Sequence, residues 1–254
     1  MVCSRHLDPS IERTRDVGSA AKLTGEQRIL VVFVDDRGAE PWTSDLRGPV
    51  EAKIDRSLRW LEEQARQSGI RLRFRHAFAP LPPRLGIDAG MGIDETNRRA
   101  GPHHSTWQNR VVHELFGSSS VAGQWEALFD AFGLRLRDSD GSAMLFCVRR
   151  YYPSISFPFY DGQNAEFRCE RGIIYDKGGN GGQRYLDSLI AHELLHLYGA
   201  ADLAPERAPP ALSLDLRQHK DDVMHTPTRQ ELERYCIGEV TAYLVGWSHQ
   251  APSC

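Results

Sequence analysis

The apolar residues of this chain change period several times, and each change predicts an element. Arg28–Asp35 (RILVVFVD) is a nearly continuous β-branched run, the pattern of a strand buried on both faces. Gly48-Pro49 then opens a helix with proline at its first position. Val50, Ile54, Leu58, Leu61 and Ala65 fall on one side of that helix, and Glu51, Arg59, Glu62 and Arg66 on the other. Gly69 closes it as a C-cap. Ile70, Leu72 and Phe74 next alternate with Arg71, Arg73 and Arg75, which predicts a half-buried strand whose arginines form its wet face. Strand, helix and strand in this order make a βαβ unit, so residues 28–76 begin a mostly parallel sheet.

Beyond Ala79 the period disappears. The stretch to Thr106 is rich in proline and glycine and reads as a long loop or insertion. Helices are predicted over 106–116 and 121–132, the second burying Trp125, Leu128, Phe129 and Phe132 and stopping at Gly133. Ala143–Val148 is another buried strand, and Phe167–Tyr175 a further one, placed at the edge of the sheet. The glycine cluster 178–182 precedes a helix over 184–199. Thr228 and Glu231 form a capping-box pattern that introduces helical material ending near Gly246. The fold class is therefore α/β. Residues 1–27 form an arm and 28–254 one domain, split into an N-terminal subdomain (28–199, with an insertion over about 79–134) and a C-terminal subdomain (200–254).

Composition narrows the function. The 254 residues are 41% hydrophobic and 26% charged, which suits a packed core and excludes disorder as a description of the whole chain. A net charge of −3 provides no field for nucleic acid or anionic lipid. No apolar stretch approaches the ~18 residues of a membrane span, and Met1–Lys22 has no apolar h-region, so the expected location is cytoplasmic. The five cysteines are scattered without a CxxC pair, which offers neither a zinc knuckle nor a thioredoxin-type site; Cys147 and Cys169 lie on two predicted strands that could be neighbours.

The chemistry is concentrated in Ala191–Asp202, AHELLHLYGAAD. His192 and His196, four apart on a predicted helix, project their imidazoles from one face and can share a metal ion. Glu193 lies about 100° around the helix from His192, beside a metal-held water rather than on the metal, where a carboxylate can act as general base. A catalytic zinc takes three protein ligands and keeps one open position. Gly199 is placed where the helix must break, and Asp202 arrives where a third ligand is required. Leu186, Ile190, Leu194 and Leu197 occupy another side of the helix and would anchor it. At this composition HExxH arises by chance in roughly 2–3% of chains, and the full string HExxHxxGxxD in roughly 1–2 of ten thousand.

This segment resembles the active-site helix of the metzincin metallopeptidases, in the variant with aspartate as third ligand, as in snapalysin-like enzymes. The resemblance implies a zinc endopeptidase acting on a protein or peptide substrate, with Zn²⁺ on His192, His196 and Asp202. It also implies a methionine turn beneath the metal, matched by Asp222-Val223-Met224-His225, followed by a C-terminal helix, matched by Thr228–Gly246. In that family substrate lies extended along an edge strand, which makes Phe167–Tyr175 the candidate, with Phe167 and Tyr175 at its ends. The specific motifs cover residues 192–224 only.

Where several metzincins carry an oxyanion-stabilising tyrosine, two residues after the methionine, this chain has Thr226. Tyr198, Tyr235 or a residue of the insertion could replace it. His219 and His225 compete with Asp202 for the third ligand position, and spacing favours Asp202. Asp187 complements the helix dipole. His113-Glu114 is half a motif, with Gly117 where the second histidine belongs, and His103-His104 sit in the long loop. Two other readings share these features: an effector, toxin or defence protease held inactive until triggered, and a non-catalytic module stabilised by metal. An intact Glu193 argues against the module, because a structural site has no use for a base beside an open position.

Overall fold

The computed structural model describes residues 22–79, 107–108, 111–112, 115, 124–157, 170–177, 182–204 and 219–250. Strand β1 (Gly25–Val34) is followed by helix α1 (Ser44–Gln67), β2 (Leu72–Phe78), α2 (Gln124–Ala131), β3 (Gly141–Val148), β4 (Ile155–Phe157), β5 (Glu170–Tyr175), α3 (Leu186–Leu197) and α4 (Glu239–Leu244). The five strands form one sheet in the order β2-β1-β3-β5-β4. Four of them run parallel, and β4 pairs antiparallel with β5.

The sheet is covered on both faces. Ile29, Val31 and Phe33 of β1 join Leu145, Cys147 and Ile174 in a core with α1, α3 and the segment 223–247. The alternate residues Leu30, Val32 and Val34 join Met144, Phe146, Ile173 and Tyr175 in a second core, beneath Trp107, Val111, Val112, Leu128 and Phe129. Burial of alternate residues on opposite faces follows from the two-residue period of a strand. It also explains why β1 and β3 read as unbroken apolar runs. The second half of the expected insertion is therefore a structural layer, since Leu128 and Phe129 are fully buried against the sheet. The side chain of Trp125, and residues 80–106, lie outside the described residues.

Strand β1 starts at Gly25, inside the expected arm, and three further features differ from expectation. Helix α1 starts at Ser44, after an extended Thr43 whose carbonyl accepts from Leu46 and Arg47, so Pro49 sits inside the helix. A proline in the sixth position removes one i→i−4 bond, leaving the Asp45 carbonyl without that donor. The second difference is that β5 is internal, and the short β4 occupies the edge. A three-residue strand is too brief to carry a recognisable period. Finally, the Thr228–Glu231 capping box does not form. Glu231 reaches Arg184 instead at 3.3 Å, a short 3₁₀ turn occupies Leu232–Arg234, and α4 begins only after Gly238.

Helices α1 and α3 are tied by more than apolar packing. Arg56 forms a 2.8 Å ion pair with the buried Asp187, and Ser57 Oγ donates to the Asp187 carbonyl at 2.7 Å. Asp187 thus has a tertiary partner in addition to its place in the first turn of α3. No helix among the described residues is long and apolar enough to cross a membrane.

Candidate metal centre

The site is built on α3. Leu186, Ile190, Leu194 and Leu197, the expected anchoring side chains, are all fully buried. The helix ends as its sequence requires: Gly199 takes φ +92°, and the N–H groups of Gly199 and Ala200 donate to the carbonyls of His196 and Leu195 at 3.1 Å each. This is a Schellman ending, which depends on a residue able to enter the left-handed region. It turns the chain back over the last turn, where Leu203 N donates to the Met224 carbonyl at 2.9 Å. Asp202 is held between these two restraints.

The bend brings together the three residues expected as ligands. His192 Nε2 and His196 Nε2 are 3.0 Å apart, and Asp202 Oδ1 lies 3.3 Å from the first and 3.6 Å from the second. Two ligand atoms each about 2.0–2.1 Å from a tetrahedral zinc are about 3.3 Å from one another, so these separations fit one shared ion. Among the described residues no other group of three His, Cys, Asp or Glu side chains converges in this way.

The outer nitrogens strengthen the case. His192 Nδ1 lies 3.1 Å from the Val223 carbonyl, and His196 Nδ1 lies 2.7 Å from the Ala200 carbonyl. A carbonyl only accepts, so each Nδ1 carries the hydrogen and each neutral ring points the lone pair of Nε2 inward. Two lone pairs and a carboxylate oxygen then face one another in a largely buried place, an arrangement that a shared cation relieves. Without metal, a proton takes that part. Burial alone would lower the pKa of His196, but the Asp202 hydrogen bond, the charges of Glu193 and Asp202, and the Ala200 carbonyl raise it overall. Burial alone would raise Asp202, yet its contacts with both histidines hold it well below the usual carboxylate range.

Glu193 is buried but outside the donor set. Its partner is Ser156 of β4, whose Oγ is 2.7 Å from both the Glu193 carbonyl and Oε2. Ser156 stands opposite Gly172 of β5. A Cβ on Gly172 would meet Leu145 at 2.9 Å, with Leu197 and Ser156 at 3.9 Å, so a side chain there would crowd the place where helix, sheet and edge strand meet. Sequence reasoning missed Ser156; its only trace is the apolar-polar-apolar alternation Ile155-Ser156-Phe157.

Residues 222–225 form a turn in which His225 N donates to the Asp222 carbonyl at 2.9 Å. The fully buried Asp222 accepts from Met224 N, Gly238 N and Thr241 Oγ1, each at 2.8 Å. One carboxylate thus fixes both the turn and the start of α4, which a local capping box was expected to do. Met224 is fully buried in the core that includes α3.

The remaining candidates divide clearly. His225 bonds Thr226 through Nδ1, and neither it nor His219 belongs to the converging group. The Tyr198 hydroxyl donates to Gln27 at 3.0 Å and that of Tyr235 to the Thr226 carbonyl, so both candidate oxyanion tyrosines spend their donors inside the protein. Tyr175 is fully buried in the core on the other side of the sheet and cannot line a cleft beside α3. Phe167, Cys169, His103, His104, His113, Glu114 and Gly117 lie outside the described residues. No protein-family model matches this chain, and no curated protein matches it in sequence.

Proposed function

We propose that this protein is a zinc-dependent endopeptidase of metzincin type. The observation that carries the reading is the convergence of His192, His196 and Asp202 on one point, with the buried carboxylate of Glu193 next to them and not among them. A structural zinc is closed by four protein ligands, whereas three ligands with an adjacent base suit hydrolysis. Bound zinc supplies Lewis acidity and lowers the pKa of a water it holds to about 7.

The protein groups then have separate tasks. Glu193 accepts the proton of the attacking water and returns it to the departing amine nitrogen, while Ser156 holds the carboxylate in place. The Val223 and Ala200 carbonyls fix the tautomers of the two histidines. Substrate recognition moves from Phe167–Tyr175 to β4, which among the described strands has a neighbour on one side only; an extended peptide can add there through main-chain hydrogen bonds. The turn at Asp222–His225 is the counterpart of the metzincin methionine turn.

The test is hydrolysis of casein by the 254-residue chain, with and without 1,10-phenanthroline. Cleavage that the chelator abolishes and added zinc restores supports the reading. Zinc-loaded protein that cleaves nothing, with the three ligands confirmed, would leave the metal-stabilised binding module as the better account.

A further inference from the structure

A second polar site lies past the carboxyl ends of the parallel strands. The chain leaves β1 to one side to form β2 and later returns to the other side to form β3, so the sheet changes direction between β1 and β3. Open α/β sheets bind ligands at such a switch point, outside the carboxyl ends of the strands. Here it holds a cavity of about 360 Å³, lined by Gly38–Glu40 after β1, Arg149–Tyr152 after β3 and Lys177 after β5. None of these residues belongs to the metal group.

The floor includes two guanidinium groups adjacent in sequence, each within ion-pair distance of a buried carboxylate. Arg150 is paired with Asp36 and lies across Gly38, where a Cβ would sit 2.4 Å from Nη2; a side chain at that position would push the arginine away. Arg149, only 6% exposed, stands 5.5 Å from the Trp42 ring and 3.4 Å from Asp176. Its Nε and Nη1 nevertheless lack a properly directed hydrogen bond among the described residues. Lys177 adds an ammonium at the rim, 5.7 Å from the Tyr151 ring.

Glu40 is the exception in this basic lining. Its side chain is 64% exposed and reaches the buried Arg149 Nη1 at 3.3 Å, without hydrogen-bond geometry. An exposed carboxylate poorly directed at a buried, under-satisfied guanidinium occupies the place a better oxyanion would take.

We infer that this cavity binds a small oxyanion, a carboxylate or a phosphate, on Arg149, Arg150 and Lys177, with Glu40 as the internal group it displaces. The inference is independent of the proposed peptidase activity. Arg149 supplies the buried Nη1 that Glu40 faces, Arg150 adds a second guanidinium and Lys177 closes the rim.

The experiment is calorimetric titration of the 254-residue chain with inorganic phosphate and, separately, with acetate. Neutral 1,10-phenanthroline is kept present so that no metal ion can be what the anion contacts. At least one probe is expected to bind saturably with a Kd below about 5 mM, and the arm that binds tells phosphate from carboxylate. Glu40→Gln should tighten that binding about fivefold and Lys177→Ala weaken it about fivefold. Glu40 is exposed and Lys177 partly exposed, and neither belongs to the core, so neither variant threatens the fold. The absence of saturation with either probe up to about 20 mM, or constants that Glu40→Gln and Lys177→Ala leave unmoved, would overturn the inference.

Discussion

Ser156 Oγ stands 2.7 Å from the carboxylate of Glu193 and 2.7 Å from the carbonyl of the same residue. A hydroxyl carries one hydrogen, so it serves the two acceptors alternately. It can support Glu193 while the carboxylate is charged and turn to the carbonyl once the side chain has taken a proton. Ser156→Ala is therefore expected to lower kcat about tenfold, the scale of an outer-partner loss. KM and bound zinc should stay unchanged, and Ser156→Thr, which keeps the hydroxyl, should recover most of the rate. Steady-state kinetics with metal analysis decide this; an unaltered kcat in the alanine variant removes Ser156 from the mechanism.

Glu193→Gln separates the base from the metal site. Because Glu193 is not one of the converging donors, the variant should hold zinc as the parent does. It should lose about 10²–10⁴-fold in kcat, the usual contribution of a positioned general base. Parent-like turnover with stoichiometric zinc would assign the proton transfer to another group.

The ligand set predicts an ordered series. His196→Ala and Asp202→Ala should each weaken zinc binding beyond the ~10–100-fold typical of outer partners, whereas His219→Ala and His225→Ala should bind as the parent does. Competition with a chromogenic chelator measures all four. Zinc retained by Asp202→Ala and lost by His225→Ala would mean that the third ligand has been misassigned.

Asp222 links the turn beneath α3 to the last helix through three hydrogen bonds. Asp222→Ala leaves three donors without their acceptor, two of them buried, and the expected cost is about 3 kcal/mol. Since Val223 O holds His192 Nδ1, zinc affinity should fall as well. Urea unfolding and the chelator competition check the two effects; a variant with parental stability contradicts this account of the turn.

The metal-free protein should also lose stability as pH rises. In spite of burial, which works the other way, the Asp202 contact and its neighbours raise the pKa of His196 above its ordinary 6.5. A group whose pKa is raised by folding stabilises the folded state fully below its unfolded value, and that contribution disappears as pH rises through the folded value. The melting temperature of chelator-treated protein should therefore fall from about pH 6.5 upward. Stabilisation by added zinc should grow over the same interval, because metal and proton compete for the same nitrogen. Melting curves between about pH 6 and 9 test this; a zinc-induced shift that does not vary with pH contradicts it.

Much of this was legible in the sequence, for local reasons. The apolar runs of β1 and β3, the face of α1 and the break at Gly199 each follow from a short-range rule, and so does the pairing of His192 with His196. Asp202 was reachable because one turn of defined geometry separates it from the helix. What could not be read depends on distant partners. Ser156 meets Glu193 across 37 residues, and the start of α4 is fixed by Asp222 rather than by Thr228. The interior position of β5 depends on a three-residue strand that adds outside it. Burial of Leu128 and Phe129 follows from the helical period, but nothing local says that their helix covers the second face of the sheet.

The most direct test of the central claim is the anomalous diffraction of crystals grown with zinc, measured on both sides of the zinc absorption edge. One full-occupancy ion is expected about 2.0–2.2 Å from His192 Nε2, His196 Nε2 and Asp202 Oδ1, with a fourth position open to solvent. An ion closed by four protein ligands, or no ion between these three side chains, would contradict the account.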